Sequence, residues 1–176
     1  MPHVIELAKT SRSKCRGCKA VIEKGSVRVG VAVPNAFGSG EQLQYFHAVC
    51  AAERRSEATR DLFEAESEVL GVEERARLRE LCEIGVAHPR WTRVTSIERD
   101  PSGRAKCRHC REALEKGGLR LTLEFVEEGM VNAAGFVHPR CAPEYLGSTA
   151  QLRERFERVG VAPELLDALT AEATNW

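Results

Sequence analysis

The stretches Cys15-Arg16-Gly17-Cys18 and His47-Ala48-Val49-Cys50 decide the fold of the first half of this chain. The second half repeats them as Cys107-Arg108-His109-Cys110 and His138-Pro139-Arg140-Cys141. Zinc takes four nitrogen or sulfur ligands in a tetrahedron, and a Cys-x2-Cys turn with a His-x2-Cys pair supplies such a set. The spacing therefore predicts two Zn2+ ions. Their predicted ligands are Cys15, Cys18, His47 and Cys50 in the first half and Cys107, Cys110, His138 and Cys141 in the second.

The two predicted metal sites are closed. Four protein ligands leave no coordination position for a substrate or an activated water, so we expect zinc to hold the fold together and we expect no enzyme. Six of the seven cysteines are used in this way. The remaining one, Cys82, lies in a helical pattern with Leu78 and Leu81 and is predicted to be a buried, inert thiol.

The internal repeat predicts two small units in a chain of 176 residues. Units of this size have a limited apolar core and gain stability from a structural metal. We predict a first finger with a helical tail at residues 1–87, a linker at 88–102 and a second finger with a helical tail at 103–176. The linker prediction rests on His88-Pro89, Asp100-Pro101 and Gly103, which interrupt the hydrophobic periodicity.

Alternating apolar and polar residues at 26–33 and 119–125 predict a strand after each Cys-x2-Cys turn. A short return strand leads to each histidine, and helical spacing follows in both tails, with Gly71 and Gly160 between helices. The predicted fold class is α+β: two tandem zinc-stapled fingers with a short antiparallel sheet, each followed by a helical hairpin. The period of two places Arg28 and Arg120 at equivalent positions, facing away from the apolar core.

The formal net charge is zero, but it is unevenly distributed. Residues 1–50 carry +4, 51–90 carry −3, 91–141 carry +2 and 142–176 carry −3. Three thiolates with Zn2+ leave each site at −1, and neighbouring cations are predicted to neutralise it. The N-terminus lacks an apolar stretch of signal-peptide length, so we expect a soluble, intracellular protein with reduced cysteines and no membrane contact. The predicted neutralising residues are Lys14, Arg16, Lys19, Lys106, Arg108 and Arg111.

Residues 7–18, 22–28 and 45–47, and in the second half 102–107, 114–120 and 136–138, together resemble the PARP-type zinc finger of poly(ADP-ribose) polymerases and DNA ligase III, which recognises DNA strand breaks. The resemblance includes the long gap between the cysteine pair and the histidine. It covers about half of the chain as two tandem copies, and it does not include the acidic helical tails.

The resemblance implies roles for two sets of residues. Arginines at the family's positions hold the phosphate backbone beside a break; here they are Arg12, Arg28, Arg104 and Arg120. Apolar loop residues cap the exposed base stack; these are Phe37 and Leu43 in the first copy, and Met130 with Val131 or Ala133 in the second. The second copy has one aromatic residue before its histidine and a loop crowded by Glu124, Glu127 and Glu128, so we expect the first finger to be the stronger DNA contact.

Two functional hypotheses follow. The first is a DNA-binding module for strand breaks or ends, without sequence specificity, acting alone or as an adaptor for a separate repair enzyme. The second is a protein-interaction scaffold in which zinc fixes the fold and the acidic tails bind a partner. For the first hypothesis we expect a cytoplasmic location at the nucleoid in a bacterium, or a nuclear location in a eukaryote.

Overall fold

The computed structural model describes residues 1–35, 38–65, 67–127 and 130–173. The chain divides into two compact units; the first holds residues 1–87 together with Glu127 and Met130, and the second holds residues 88–126 and 131–173. Each unit combines one three-stranded sheet with helices, which confirms the predicted α+β class. None of the helices in the described part of the chain has the length and apolar character that a membrane crossing requires.

The first unit places its sheet before its helices. Its elements are β1 (Val4–Leu7), β2 (Val27–Pro34), β3 (Glu41–His47), α1 (Ala48–Arg54), α2 (Ser56–Glu64) and α3 (Val72–Ala87). The sheet has the order β1-β2-β3, so β2 is the central strand, and it pairs antiparallel with both neighbours.

The apolar core of the first unit lies on one face of this sheet. Val29, Val31 and Val33 alternate along β2 and are buried, as the period of two predicts. From the helices, Phe63 and Cys82 are completely buried. Burial raises the pKa of the Cys82 thiol to about 11, and Thr59 Oγ1 lies 3.6 Å from its sulfur. The structure therefore confirms that Cys82 is a buried core residue, and its raised pKa favours the protonated thiol.

The second unit repeats the sheet in the order β4-β5-β6. It begins with a 3-10 turn at Trp91–Arg93 and has a second one at Pro139–Cys141, immediately after the last strand. Its other elements are β4 (Val94–Arg99), β5 (Leu119–Glu127), β6 (Met130–Val137), α4 (Ala142–Leu146), α5 (Leu152–Arg158) and α6 (Pro163–Glu172).

In the structure, residues of the segment 88–102, predicted as a linker, contribute to the core of the second unit. Trp91 is completely buried and its Nε1 donates to the carbonyl of Ala150 at 2.8 Å. The Arg155 guanidinium lies 3.8 Å above the Trp91 ring and Nη1 donates to the Trp91 carbonyl at 2.9 Å. Strand β4 pairs with β5. The prolines that suggested a linker stand outside the strand, where no ladder N–H is required of them.

Candidate metal centres and nucleic-acid interface

Each Cys-x2-Cys pair lies in a tight turn whose backbone bonds are the same in both units. In the first unit, Lys19 N donates to the Cys15 carbonyl at 2.9 Å, and Cys15 N donates to the Ala20 carbonyl at 2.8 Å. Lys19 closes the turn in the left-handed region, with φ at 66°. The second turn repeats these features with Arg111 N to Cys107 O at 3.1 Å, Cys107 N to Glu112 O at 2.9 Å and φ of 67° at Arg111.

The histidine and the last cysteine come from the junction between sheet and helix. In the first unit, β3 ends at His47, and α1 carries Cys50 in its first turn. His47 Nδ1 lies 3.3 Å from Cys18 Sγ, and His47 N donates to Cys15 Sγ at 3.3 Å. The counterpart distances from His138 are 3.4 Å to Cys110 Sγ and 3.4 Å to Cys107 Sγ.

The four ligand atoms of each cluster lie within 4.8 Å of one another. Tetrahedral zinc with bonds of roughly 2.3 Å places its sulfur ligands roughly 3.8 Å apart, so the donor sets fit the ion in number, type and spacing. The structure brings together all eight residues that the sequence predicts as ligands. The two clusters are zinc sites, one in each unit.

Thiol ionisation in the clusters also fits a bound cation. A hydrogen bond with Cys50 lowers the pKa of Cys15 to about 4, and the same bond raises the pKa of Cys50, with burial and the neighbouring thiolates adding to that rise. Three sulfurs so close together cannot all be ionised without a positive charge among them. Zinc supplies that charge, and its binding energy then becomes folding energy.

The outer nitrogen of His47 is held by the backbone. His47 Nε2 lies 3.3 Å from the carbonyl oxygen of Val21, in a position to donate its hydrogen. This bond leaves Nδ1 with the lone pair that a metal requires, and it fixes the plane of the ring. Residue 21 therefore orients a zinc ligand through its main chain, which sequence reasoning could not single out.

The second cluster has an additional cation that the sequence analysis missed. Arg140 lies between the ligands His138 and Cys141, and a hydrogen bond with Cys141 raises the pKa of Arg140. Arg140 Nη2 also pairs with Glu112 Oε2 at 2.7 Å. The signal in the sequence was a basic residue inside the His-x2-Cys pair. The six basic residues predicted to neutralise the clusters are exposed, and Arg108 Nε donates instead to the Ala134 carbonyl at 2.8 Å.

Arg28 is a buried residue, although it faces away from the apolar core of the valines. It lies on the sheet face opposite the valines, as predicted, but that face is covered, and only 9% of the residue is exposed. Its guanidinium lies 3.8 Å above the Tyr45 ring. It donates to Glu6 Oε1 from Nη2 at 2.6 Å and from Nε at 3.0 Å, and to Ser13 Oγ from Nη1 at 3.2 Å. Arg28 thus braces the loop that carries Arg12.

Arg120 repeats this arrangement with more negative charge around it. It is 8% exposed and lies 3.6 Å above the Phe136 ring. It donates to Glu98 Oε1 from Nη2 at 2.6 Å and from Nε at 2.9 Å, and from Nη1 to Asp100 Oδ2. The backbone N–H of Gly103, then that of Ser102 and the Arg120 charge, lower the pKa of Asp100 against the opposing effect of burial. Arg120 is therefore also buried, by an aromatic ring and two carboxylates.

Arg12 and Arg104 are exposed at equivalent positions before the two cysteine pairs. The loop at Arg12 is tied to the next turn, because Ser11 Oγ accepts from Lys24 N at 2.9 Å and donates to Glu23 Oε2 at 2.8 Å. Both arginines can reach a ligand in solvent, and their role as phosphate contacts stays a prediction.

The predicted base-stacking residues fall into three groups. Phe37 lies outside the described residues. Leu43 is half-buried and, with Val4 and Tyr45, covers Gly30; a Cβ on that glycine would lie 3.3 Å from Leu43 Cδ1. In the second copy of the repeat, Met130 at the start of β6 is 51% exposed, and Val131 and Ala133 are also exposed. Stacking on DNA bases by these residues stays a prediction.

Comparison with known proteins identifies relatives of this arrangement. Residues 6–82 match the family described as the poly(ADP-ribose) polymerase and DNA-ligase zinc-finger region. The chain is 29% identical over 149 residues to a poly [ADP-ribose] polymerase of Sarcophaga peregrina, covering 74% of this chain and 15% of that protein. It is 27% identical over 144 residues to a poly [ADP-ribose] polymerase of Drosophila melanogaster, covering 74% of this chain and 14% of that protein. It is 29% identical over 164 residues to poly [ADP-ribose] polymerase 1 of Arabidopsis thaliana, covering 84% of this chain and 16% of that protein. The chain thus spans only 14–16% of these relatives' length.

Proposed function

We propose, from the finding that residues 6–82 are a PARP-type zinc finger, that this chain is a zinc-dependent DNA-binding protein. It recognises strand breaks or ends through phosphate contacts and base stacking, and it does not read sequence. The observation that carries the proposal is that the family match includes both the first zinc site and the basic loop beside it.

The charge around the first cysteine pair supports phosphate binding. Residues 9–24 contain six lysines and arginines and one acidic residue, Glu23. All six basic side chains are exposed in the structure. Contacts between such side chains and phosphates are independent of base sequence, and they release counterions from the nucleic acid. The six residues are Lys9, Arg12, Lys14, Arg16, Lys19 and Lys24.

Recognition of a break additionally requires a surface for the base pair that an intact duplex keeps stacked. An apolar or aromatic side chain can cover such a base face without reading its identity. We assign this contact to Phe37 and Leu43 in the first copy of the repeat and to Met130 in the second copy. Phosphate contact is assigned to Arg12, Arg28 and Arg104.

The two zinc sites have a supporting role in this proposal. Three cysteines and one histidine fill each tetrahedron, so neither ion has a position for a substrate. We propose no catalytic step for the described residues, and a separate repair enzyme as the partner that acts on the bound break. The protein would then be found with the DNA, at the nucleoid or in the nucleus.

The test is a competition experiment with the zinc-loaded protein against nicked, gapped, blunt-ended and closed-circular DNA at two ionic strengths. If three to five phosphates are contacted, the logarithm of the binding constant should fall against that of the salt concentration with a slope of roughly −3 to −4.5. Nicked DNA should compete best. A flat salt response, or equal competition by nicked and closed-circular DNA, would count against the proposal.

A matched pair of variants assigns the contact to the basic loop. Arg12→Gln should weaken binding to all sequences alike and reduce the size of the salt slope by about 0.9. Arg79→Gln is the control, because Arg79 is also exposed but lies on α3, outside the basic loop. If the two variants lose affinity equally, net charge and not this loop determines binding.

One observation favours the second candidate function, a protein-interaction scaffold. The first unit has a recess of about 350 Å³ lined by the apolar residues Ile5, Leu62, Ala65 and Val69 and by the polar residues Ser67 and Glu68. Apolar recesses with polar edges are typical of sites for partner side chains. A salt-independent binding profile in the competition experiment would favour this function over DNA binding.

A further inference from the structure

The two buried arginines, Arg28 and Arg120, differ in one position of their surroundings. Ala8 and Asp100 occupy the same place in the two backbones. Ala8 N donates to the Ser26 carbonyl at 2.9 Å, and its own carbonyl accepts from Gly25 N at 2.8 Å. In the same way, Asp100 N donates to the Gly118 carbonyl at 2.8 Å, and the Asp100 carbonyl accepts from Gly117 N at 2.7 Å. The backbone is the same, and the second unit adds a carboxylate there.

The Asp100 carboxylate is fixed from several sides. Its side chain is 0% exposed. Its Oδ1 accepts from Ser102 N at 2.9 Å and from Gly103 N, while Oδ2 accepts from Arg120 Nη1. If Arg120 turned to a phosphate, a buried carboxylate would lose its cation, and an uncompensated buried charge is strongly destabilising. Arg120 is thus held in place by its partner.

Arg28 has no such restraint. Within the described part of the chain, Glu6 is the one carboxylate in contact with it, and the Glu6 side chain is 34% exposed. The Glu6 side chain can rotate away from Arg28 and remain hydrated, while a phosphate takes its place on the guanidinium. The third contact of Arg28 is the neutral hydroxyl of Ser13. The charge of the cluster is therefore about zero around Arg28 and about −1 around Arg120.

We propose that Asp100 is the residue that makes the two units unequal: it closes Arg120 to phosphate, so that only the first unit presents its strand arginine to a DNA backbone. The two arginine side chains are almost equally exposed, at 11% and 10%, so accessibility does not distinguish them. What distinguishes them is the carboxylate beside each: Glu6 at Arg28 can exchange with a phosphate, whereas Asp100 at Arg120 is fixed. The inference rests on the proposed function for its biological ligand, but its chemistry requires only a phosphate group.

The wild-type protein tests this directly. The Nε–H signals of Arg28 and Arg120 are followed by NMR in the zinc-loaded chain, with inorganic phosphate as one probe and a nicked duplex as the other. We expect the Arg28 signal to shift with both probes and the Arg120 signal to stay in place. The inference is overturned if Arg120 shifts as far as Arg28, or if Arg28 responds to neither probe. If phosphate moves Arg28 alone but the nicked duplex does not bind, the proposed function fails while this inference stands.

Exchanging the two side chains provides the second test. Ala8→Asp should place the restraint in the first unit, weaken binding to nicked DNA about tenfold and reduce the size of the salt slope by about 0.9. Ala8→Asn has the same size without the charge and should keep most of the affinity. Asp100→Asn should release Arg120, so that its Nε–H signal shifts with phosphate. Zinc content and amide spectra establish that each variant is folded. Equal losses in Ala8→Asp and Ala8→Asn would show that bulk, and not the carboxylate, is responsible, and would contradict the inference.

Discussion

The first cysteine turn has Gly17 at the position where the second has His109. A Cβ on Gly17 would lie 2.8 Å from Cys50 Cβ, closer than real contacts allow. The second turn accommodates a complete imidazole there, whose Nε2 lies 3.3 Å from Glu144 Oε2. Yet the turns share the same backbone hydrogen bonds and the same left-handed closing residue. Shared main-chain geometry therefore leaves each site free to differ in the space around it.

The charged residues around the two zinc sites also differ, although the backbone is shared. The second unit has Asp100, Glu112 and Arg140 where the first has the small apolar residues Ala8, Ala20 and Val49. The added residues form ion pairs that link the second site to its own surroundings. Exposed cations flank the cysteine turns of both sites, so these ion pairs are the difference between them. The fold is thus common to both units, whereas the side chains that face a ligand are not.

The largest expected effect separates the two sites. Cys15→Ser should release one zinc ion and unfold the first unit, and Cys107→Ser should do the same to the second, because structural zinc contributes about 10–16 kcal/mol to folding. Zinc per chain is measured by elemental analysis, and the folded half is identified from amide NMR signals. Loss of both ions in a single variant would show that the sites are not independent.

The next prediction concerns where the second unit begins. A fragment of residues 88–176 should fold with zinc, whereas a fragment of 103–176, cut at the boundary that the sequence predicts, should not. The shorter one lacks β4 and Trp91, and removal of a buried tryptophan side chain alone costs about 3–5 kcal/mol. The fragment 1–87, which retains β1, is the control from the first unit. A folded, zinc-loaded 103–176 fragment would contradict the account of the core given above.

Gly17→Ala and His109→Ala compare the turns themselves. The added methyl group should destabilise the first unit by roughly 1–3 kcal/mol, because it meets Cys50 Cβ and the site must shift to accept it. His109→Ala removes the contacts of a half-buried ring with Glu144 and Tyr145 and creates no clash, so it should destabilise the second unit less. Thermal unfolding with zinc bound measures both effects. Equal stability of the two variants would show that the first turn relaxes without cost.

The smallest effect concerns Arg140. Arg140→Ala should speed the release of the second zinc ion to a chelator a few-fold, because an exposed ion pair is worth at most about 1 kcal/mol. Arg140→Lys keeps the charge and should release zinc at nearly the wild-type rate, and Val49→Ala is the corresponding change at the first site. Release is followed with a coloured zinc indicator. An unchanged rate in Arg140→Ala would leave the guanidinium without a part in holding the metal.

The zinc ligands and the central strands could be predicted from the sequence because their signals are local. Ligand spacing is set by turn geometry, and the valines of β2 alternate with the period of a strand. Strands β1 and β4 were missed because each is short, and its stability comes from pairing with a distant partner. The turn-forming prolines on either side of β4 then made its segment look like a linker.

The environment of the arginines could not be predicted for a related reason. A period of two indicates which face of a sheet a side chain occupies, but it does not indicate what covers that face. Arg28 is covered by Tyr45 from a neighbouring strand and by a loop that reaches it through Ser13. The alternation alone therefore gave the correct side of the sheet for Arg28 but not its degree of exposure.

The burial of Trp91 has a spectroscopic consequence. Both tryptophans of the chain, Trp91 and Trp176, belong to its second half, and residues 1–87 contain none. Trp91 is shielded from water beneath the Arg155 guanidinium, so its emission should move to longer wavelength when that half melts. Tryptophan fluorescence, excited where tyrosine does not absorb, therefore follows the second half alone, whereas far-UV dichroism follows both. The gap between the two melting curves reports how independently the halves unfold.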